Sequence, residues 1–558
     1  MGSLRKIFQS EVFHRVWFFT GLLACGFLFC RGLSSVYDIH PHDETLYQWL
    51  ARSSVVSPSW GPIYSFFLKV YPFFSSSEEE IYYLNFATLG VLLSLVGYLL
   101  ARRLGVGRNL AFFLGVLLIC AEVNIPVAPK INHLNTIFLA LIFLGSTYIQ
   151  SATRAVFFLL VGFIPSLYIR QDNLICAFVF GAWLIYLESK KPFRSFVFLT
   201  HMARYVLILA LIFLPFRIFW GDSFGQSRGW AAFTDHFCWQ KRGELCDPGK
   251  PGIESVFNGA SSIVEALRIN PSAFLAHGLS NLRELAVDLP YALVAHRLFF
   301  LKNESNRGWI YSFDLLLLLM LVFFLSTKFF SRTGENGFLP KHSRTNFLLL
   351  ASSLGGKALV SIAVFSPWVR YYFEFWFFLL LLLVCVLSAV AKLPWARASS
   401  LWVPLVFLLL VPSHQGLATR GYFNRMSESP SLRNRYVWEI VQYVNSLGNG
   451  EGLGCRSFGA YSITFGYRYE CSTFSEDLGE GLKEIRAYLE KNRVALVIVD
   501  DGYRYWSSPR PSGRSVKTFE ANYHQLGFQR STQNFSFGTY VYWRAPLVAP
   551  KAPTETAP

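Results

Sequence analysis

Charge is what this sequence has least of. Lys, Arg, Asp and Glu make up 15% of its 558 residues, where a soluble domain carries about a quarter. That scarcity argues against a soluble protein with one over-large core. No CxxC or zinc-type spacing occurs among the 9 cysteines, which counts against a structural metal. No small-residue cleavage site follows the first apolar segment, and further spans follow it, so it reads as a retained span rather than a cleaved signal. Charge is also nearly missing from inside the apolar runs. That counts against a transporter, whose polar residues gather near the bilayer midplane.

What fills the chain instead is apolar. It is 53% hydrophobic with 54 Phe, and its mean hydropathy is +0.35. The apolar residues fall in blocks, the pattern of a polytopic helical membrane protein. Eleven segments are expected, near 16–33, 84–101, 109–126, 134–149, 155–169, 174–187, 205–220, 311–327, 346–365, 371–391 and 399–412. Lys and Arg collect in the loops on one side, from Arg5 and Arg15 through Arg102, Arg154, Lys190, Lys328 and Arg344 to Arg397. By the positive-inside rule the N-terminus is cytoplasmic and the C-terminal tail lies outside. The net charge of +16 is largely this topology signal, not a nucleic-acid patch.

Three large segments then fall outside: the loop 34–83, the loop 221–310 and the tail 413–558. The first opens on Asp38-Ile39-His40-Pro41-His42-Asp43-Glu44. Acids at a membrane face make poor lipid neighbours and face a cavity or water. Such a carboxylate can take a proton from an acceptor hydroxyl or hold a metal. His40 and His42 with Asp43 leave a divalent metal open, though one-residue spacing in a loop is a weak metal signal. Asp38 is an alternative base without a paired carboxylate.

The segments 155–169 and 174–187 fall short of the ~20 residues that cross ~30 Å of hydrocarbon. Their outer turn, Arg170-Gln171-Asp172-Asn173, must then dip inward, which is tolerated where it lines a cavity. The plainer alternative is an Arg170–Asp172 surface pair with no task.

After Glu44, Leu46, Trp49 and Leu50 share one face of an expected interfacial helix, and residues 63–74 form a second interfacial piece. Residues 270–297 read as an amphipathic helix with Phe274, Leu275, Leu279, Leu282 and Leu285 on its apolar face. The tail reads as a small α/β or α+β domain. Its expected elements are helices at Arg435–Leu447 and Leu482–Lys491, the strand run VALVIVDD, and an edge-type strand from Phe535 to Trp543. Asp500-Asp501 at the end of that run is a candidate ligand position, with a solvent-exposed loop pair the plainer reading. Residues 547–558 are Pro/Ala-rich and expected to be disordered. Cys238 with Cys246, and Cys455 with Cys471, are expected disulfides in an oxidising outer space.

Taken in order, these motifs resemble the GT-C glycosyltransferases, in particular the bacterial branch related to protein mannosyltransferases and aminoarabinose transferases. The resemblance rests on Asp43-Glu44 in a long first outer loop, Gly61-Pro62-Ile63-Tyr64 after it, and the Arg170-Gln171-Asp172-Asn173-Leu174 turn, with Gln171 where the family has Pro. It rests also on Val369-Arg370-Tyr371-Tyr372 opening a late span, and on the helix from Asn270-Pro271 to Asn281. It covers roughly residues 10–412.

The resemblance implies a GT-C catalytic domain over 1–412 and an extracytoplasmic α/β domain over 413–546, in the inner (plasma) membrane of a cell envelope. It implies a polyprenyl-phosphate-sugar donor, a lipid, glycan or protein acceptor with a hydroxyl or amine, and inversion. Asp43 would be the general base and Glu44 would orient a neighbour or contact the acceptor. Lys130, Arg170 and Arg370 would hold the donor phosphate, with His40, His42 and Asp172 as acceptor or metal contacts. The resemblance calls for no organic cofactor and leaves a divalent metal open. A transporter or flippase of lipid-linked saccharides, or a non-catalytic envelope scaffold, stands as the alternative.

Overall fold

The computed structural model describes residues 11–30, 33, 44, 47–48, 51, 61–75, 78–121, 124, 130–190, 226–241, 252–294, 341–366, 369–390, 439–440, 443–444, 446–447, 453–458, 469–473, 481–499, 511–532, 535 and 539–544. The expected spans near 205–220, 311–327 and 399–412 lie outside them, as do Asp500-Asp501 and residues 547–558.

The apolar blocks fold as helices α1 (Glu11–Cys30), α2 (Pro62–Leu68), α3 (Glu78–Arg103), α4 (Arg108–Cys120), α5 (Ile131–Ser146), α6 (Ala152–Leu167) and α7 (Leu174–Ser189). Among the described residues, four stretches are long and apolar enough to cross a membrane: Glu79–Arg103, Gln171–Ser189, His342–Val364 and Arg370–Ser388. α1, α4, α5 and α6 contribute shorter apolar stretches. One shared apolar core runs through the bundle, from Phe18 and Leu22 through Phe112, Phe143, Phe163 and Phe180 to Trp376.

Helix ends are fixed by identifiable groups. Ser151 caps α6 by accepting from the Arg154 N–H. At the opposite end of α5, Arg103 donates to the Thr147 hydroxyl and carbonyl at 2.9 and 2.8 Å. That cation sits on the last orphan carbonyls of α5, where the helix dipole favours it.

In the segment between α1 and α2, Glu44, Tyr47, Gln48 and Ala51 are helical and all buried. Their spacing of three and four places them on one helix face. The inward face thus carries Glu44 and Gln48, while the expected apolar face of Leu46, Trp49 and Leu50 lies outside the described residues. α2 and the 3-10 turn Tyr71–Phe73 bury Tyr64, Ser65, Leu68 and Tyr71 and expose Phe66, Phe73 and Phe74. An interfacial aromatic belt has this arrangement.

Among the described residues, α7 is followed by α8 (Gln226–Gln240), α9 (Gly252–Phe257), α10 (Ile263–Ile269) and α11 (Pro271–Val294), and these by α12 (Lys341–Val364) and α13 (Val369–Val390). The face that α11 buries matches expectation in part. Leu285 is buried and Leu282 and Phe274 pack on the apolar clusters, but Leu275 and Leu279 are 58% and 67% exposed, and His277, Gly278 and Asn281 are buried beside them. The reason is a backbone approach. A Cβ on Gly278 would stand 3.2 Å from the Ala363 carbonyl oxygen. His277 Nε2 reaches the Val364 carbonyl at 3.2 Å, and Asn281 donates to that of Phe365 at 3.1 Å. α11 therefore caps the C-terminus of α12 with polar side chains, and polar residues share the inner face.

The tail contains β1 (Leu453–Phe458), β2 (Tyr469–Thr473), α14 (Leu482–Lys491), β3 (Val494–Val499), α15 (Pro511–Asn522), β4 (Phe528–Arg530) and β5 (Tyr540–Arg544). They form a sheet of order β2-β1-β3-β5-β4, with β1, β2 and β3 parallel and β5 antiparallel to both its neighbours. The expected edge strand is internal: β5 lies between β3 and β4, and Val541, Tyr542 and Trp543 are all buried. Parallel register sets Cys455 opposite Cys471. Cys238 of α8 is disulfide-bonded, its partner lying outside the described residues.

Candidate functional site

Two polar clusters meet at one end of α5. The first is built around Glu44, which is buried. Its Oε1 accepts from the Tyr64 hydroxyl and from Asn85 Nδ2 at 2.7 Å. Its Oε2 accepts from the backbone N–H of Lys130 at 2.6 Å. Loop, α2, α3 and the entry to α5 are thus tied by one carboxylate. Burial, reinforced by the Glu44 charge, pushes the Tyr64 phenol well above its ordinary value.

Lys130, one of the expected phosphate ligands, is fully buried here. Its ammonium donates to the Asn124 carbonyl at 2.8 Å, lies 3.2 Å from His133 Nε2 and sits over the Phe86 ring. Burial lowers its pKa well below the usual lysine value, opposed by the charge of Glu44.

Gly61 links this cluster to the next. It adopts φ 65°, and a Cβ there would come 2.5 Å from the Ile169 carbonyl oxygen and 2.6 Å from Ile131 Cδ1. The backbone passes this closely because the residue is glycine. Pro62 then starts α2 with its φ preset. The segment Gly61–Tyr64 is therefore pressed against the residue that precedes Arg170.

The second cluster centres on the turn 170–173, where Gln171–Asn173 form one 3-10 turn. Arg170 grips Asp172 through two bonds, Nη2–Oδ2 at 2.6 Å and Nε–Oδ1 at 3.1 Å. It also donates to Asn132 Oδ1 and lies 3.8 Å from Glu374. Lys357 of α12 meets Asp172 at 3.0 Å, Glu374 of α13 at 3.4 Å and Asn173 Oδ1 at 2.9 Å. Asn135 donates to Glu374 at 2.9 Å and pairs with Asn173. Lys357 and Glu374 are 1% and 2% exposed, whereas Arg170 and Asp172 are 17% and 26% exposed. The turn is thus the accessible edge of a network that reaches inward, not an isolated surface pair.

Arg370 opens α13 beside this network. Its carbonyl accepts from Asn132 Nδ2 at 3.1 Å and Arg170 Nη1 at 3.4 Å. Its guanidinium extends the other way, with Nη2 at 3.3 Å from His236 Nε2 and 3.2 Å from the Tyr371 hydroxyl. His236 is carried by α8, which packs through Phe233 and Phe237 against Phe257, Phe274 and Phe365. Gln240 then donates to Asn281 on α11.

The structure brings Glu44, Lys130, Arg170, Asp172 and Arg370 to one end of the bundle, through α5. Asp38, His40, His42 and Asp43 lie outside the described residues. Among the described residues no group of three His, Cys, Asp or Glu side chains is arranged to hold a metal. Sequence reasoning missed Lys357, Glu374, Asn132, Asn135 and His236. Lys357 and Glu374 had an available signal: single charges of opposite sign inside two apolar runs.

No known family's profile matches the chain, and no characterised protein matches it in sequence. Among solved structures it is similar to the archaeal oligosaccharyltransferase AglB from Archaeoglobus fulgidus, in complex with an inhibitory peptide and a dolichol-phosphate. The identity is 13% and the TM-score 0.42, over 96% of this chain and 75% of that one. An apo oligosaccharyltransferase of the same organism is similar at 12% identity and TM-score 0.39, over 90% and 72%. Both are GT-C glycosyltransferases, and a likeness this distant decides nothing about the chemistry of the site.

Proposed function

We propose that the protein is an integral-membrane glycosyltransferase that moves a sugar from a polyprenyl-phosphate donor to an acceptor hydroxyl or amine at the outer membrane face, with inversion. The observation that carries the reading is the convergence at α5. The residue after Asp43 is bonded to Lys130, and two positions on, Asn132 is bonded to both Arg170 and Arg370. A base-bearing loop, the Arg170 guanidinium and the backbone of Arg370, far apart in sequence, are thereby held by one helix end. This suits a reaction in which an acceptor proton leaves on one side of the anomeric carbon and a phosphate leaves on the other.

In this reading Asp43 takes the proton as the new glycosidic bond forms. The leaving phosphate is a weak base and needs positive charge rather than a strong acid. Arg370 and Arg170 supply it, since a guanidinium can hold two phosphate oxygens at once. Glu44 keeps its neighbour in place through Tyr64, Asn85 and Lys130. Lys130, buried under Asn124 and His133, braces the loop from beneath.

Asp43→Asn tests the base. Purified protein supplied with a panel of polyprenyl-phosphate sugars should lose roughly 10²–10⁴ in turnover with donor affinity nearly retained. Turnover at the wild-type rate would move the base elsewhere, with Asp38 next. Arg370→Ala should instead weaken donor binding and turnover together, and Arg370→Lys should restore only part.

One observation favours a second reading. Lys357 and Glu374 are charges within spans, and such pairs mark translocation paths in transporters. A flippase of lipid-linked saccharides would move a labelled donor across a reconstituted bilayer with no acceptor present; a transferase would not.

A further inference from the structure

Arg170 is assigned to the donor phosphate, yet its guanidinium is already held by Asp172 through two bonds and approached by Glu374. A phosphate can bind there only if one carboxylate lets go. The carboxylate that lets go must not be left as a bare charge in a half-dry site, where an unpaired ion is costly. Lys357 answers that requirement. Its ammonium is 3.0 Å from Asp172 Oδ1, on the inner side of the same carboxyl group that Arg170 grips from the outer side. It is also 3.4 Å from Glu374.

The four side chains carry two positive and two negative charges, so the set is neutral as it stands. Exposure is graded across it. Lys357 and Glu374 are sealed inside, while the Arg170–Asp172 pair borders the open side.

From this we infer that Lys357 is a positioning residue for the donor: it takes over Asp172 so that Arg170 can exchange that carboxylate for the lipid-linked phosphate. The inference rests on the donor-phosphate reading above and adds a residue to it. No bond is made or broken, and no proton need move. Arg170 trades one anion for another, and Asp172 keeps a cation throughout. Asn132 and Asn173 hold Arg170 and Lys357 respectively during the trade, through their side-chain oxygens. Lys357 never touches the phosphate.

The experiment uses the full chain in lipid nanodiscs and measures binding of geranylgeranyl phosphate, with geranylgeraniol as the uncharged control. Asp172→Asn removes the competitor of the phosphate, so binding should tighten by roughly three- to tenfold. Lys357→Met leaves two carboxylates on Arg170, and binding should weaken by roughly 10–100-fold. Lys357→Met combined with Asp172→Asn restores neutrality and should recover most of that loss. Geranylgeraniol should respond to none of these changes.

A residue that merely holds the fold predicts the opposite pattern, with Asp172→Asn weakening binding and the double variant worse than either single one. That result overturns the exchange. The Asp172→Asn measurement stands alone should Lys357→Met fail to fold. If Arg170→Gln binds geranylgeranyl phosphate as well as wild type does, the phosphate reading of the turn itself falls, and the exchange falls with it.

Discussion

The clusters around Glu44 and around Lys357 solve the same problem in different ways. Each keeps carboxylates out of water at the end of a helical bundle. Glu44 is bonded by neutral dipoles: a phenol, an amide and a backbone N–H. Glu374 and Asp172 are met by cations, and each cation serves both carboxylates. Neutral donors fixed on three elements give a carboxylate one geometry. Shared ion pairs let partners be exchanged with little change in total charge. The first arrangement suits a brace and the second a site where an anion comes and goes.

Removing one charge should therefore hurt the second cluster more. Glu374→Leu leaves Lys357 with Asp172 alone inside the bundle and should cost about 3–5 kcal/mol of stability. Thermal unfolding of the purified protein measures it. Glu44→Gln keeps the shape but turns a donor toward Tyr64, Asn85 or the Lys130 N–H, so about 1–3 kcal/mol is expected. The contrast breaks if Glu44→Gln costs as much as Glu374→Leu.

Gly61→Ala probes the joint between the clusters. The added methyl meets the Ile169 carbonyl, and the residue must hold a positive φ. A loss of about 1–3 kcal/mol is expected. Donor affinity should weaken with it, since the displaced backbone leads into Arg170. Unchanged affinity in a folded Gly61→Ala protein would uncouple α2 from the turn.

The smallest effect concerns pH. Burial lowers the pKa of His277 from the ordinary 6.5, with Lys241 adding to the shift and the Val364 and Phe365 carbonyls opposing it. The folded value lies below the unfolded one. As pH falls below 6.5 the unfolded chain takes up a proton that the docked helix resists, and stability drops until the folded pKa is passed. Protection factors in α11, corrected for the intrinsic exchange rate at each pH, should fall from pH 7.5 to pH 5.5, and His277→Gln should flatten that dependence.

Much of this was legible from the residues. The Leu482–Lys491 helix and the Val494–Val499 strand appear at their expected places, because an amphipathic period and an unbroken apolar run are local signals. A polar turn at 170–173 between two apolar segments was expected, and it is found as one 3-10 turn between α6 and α7. Lys357 and Glu374 were hidden by averaging, since one charge barely moves the hydropathy of a long apolar run. Asn132, Asn135 and Asn173 are neutral amides whose value lies in partners up to 239 residues away. Leu275 and Leu279 of α11 were misplaced because hydrophobic periodicity takes no account of the carbonyls at the end of another helix. β1, β2 and β4 carry no strong alternation of their own, and β5 was taken for an edge because its sequence alternates, a pattern that does not show what pairs on either side.

The length of α6 has a consequence for the lipid around the protein. It is 16 residues, so it rises about 24 Å where the hydrocarbon is about 30 Å thick. A bilayer meeting this helix has to thin locally, at a cost of fractions of a kcal/mol per Å. On the donor-phosphate reading proposed above, a phosphate in that dimple would rest deeper than its neighbours and closer to Arg170. Vesicle lipids of shorter acyl chains should then raise donor affinity, and longer chains should lower it, with no substitution in the protein at all.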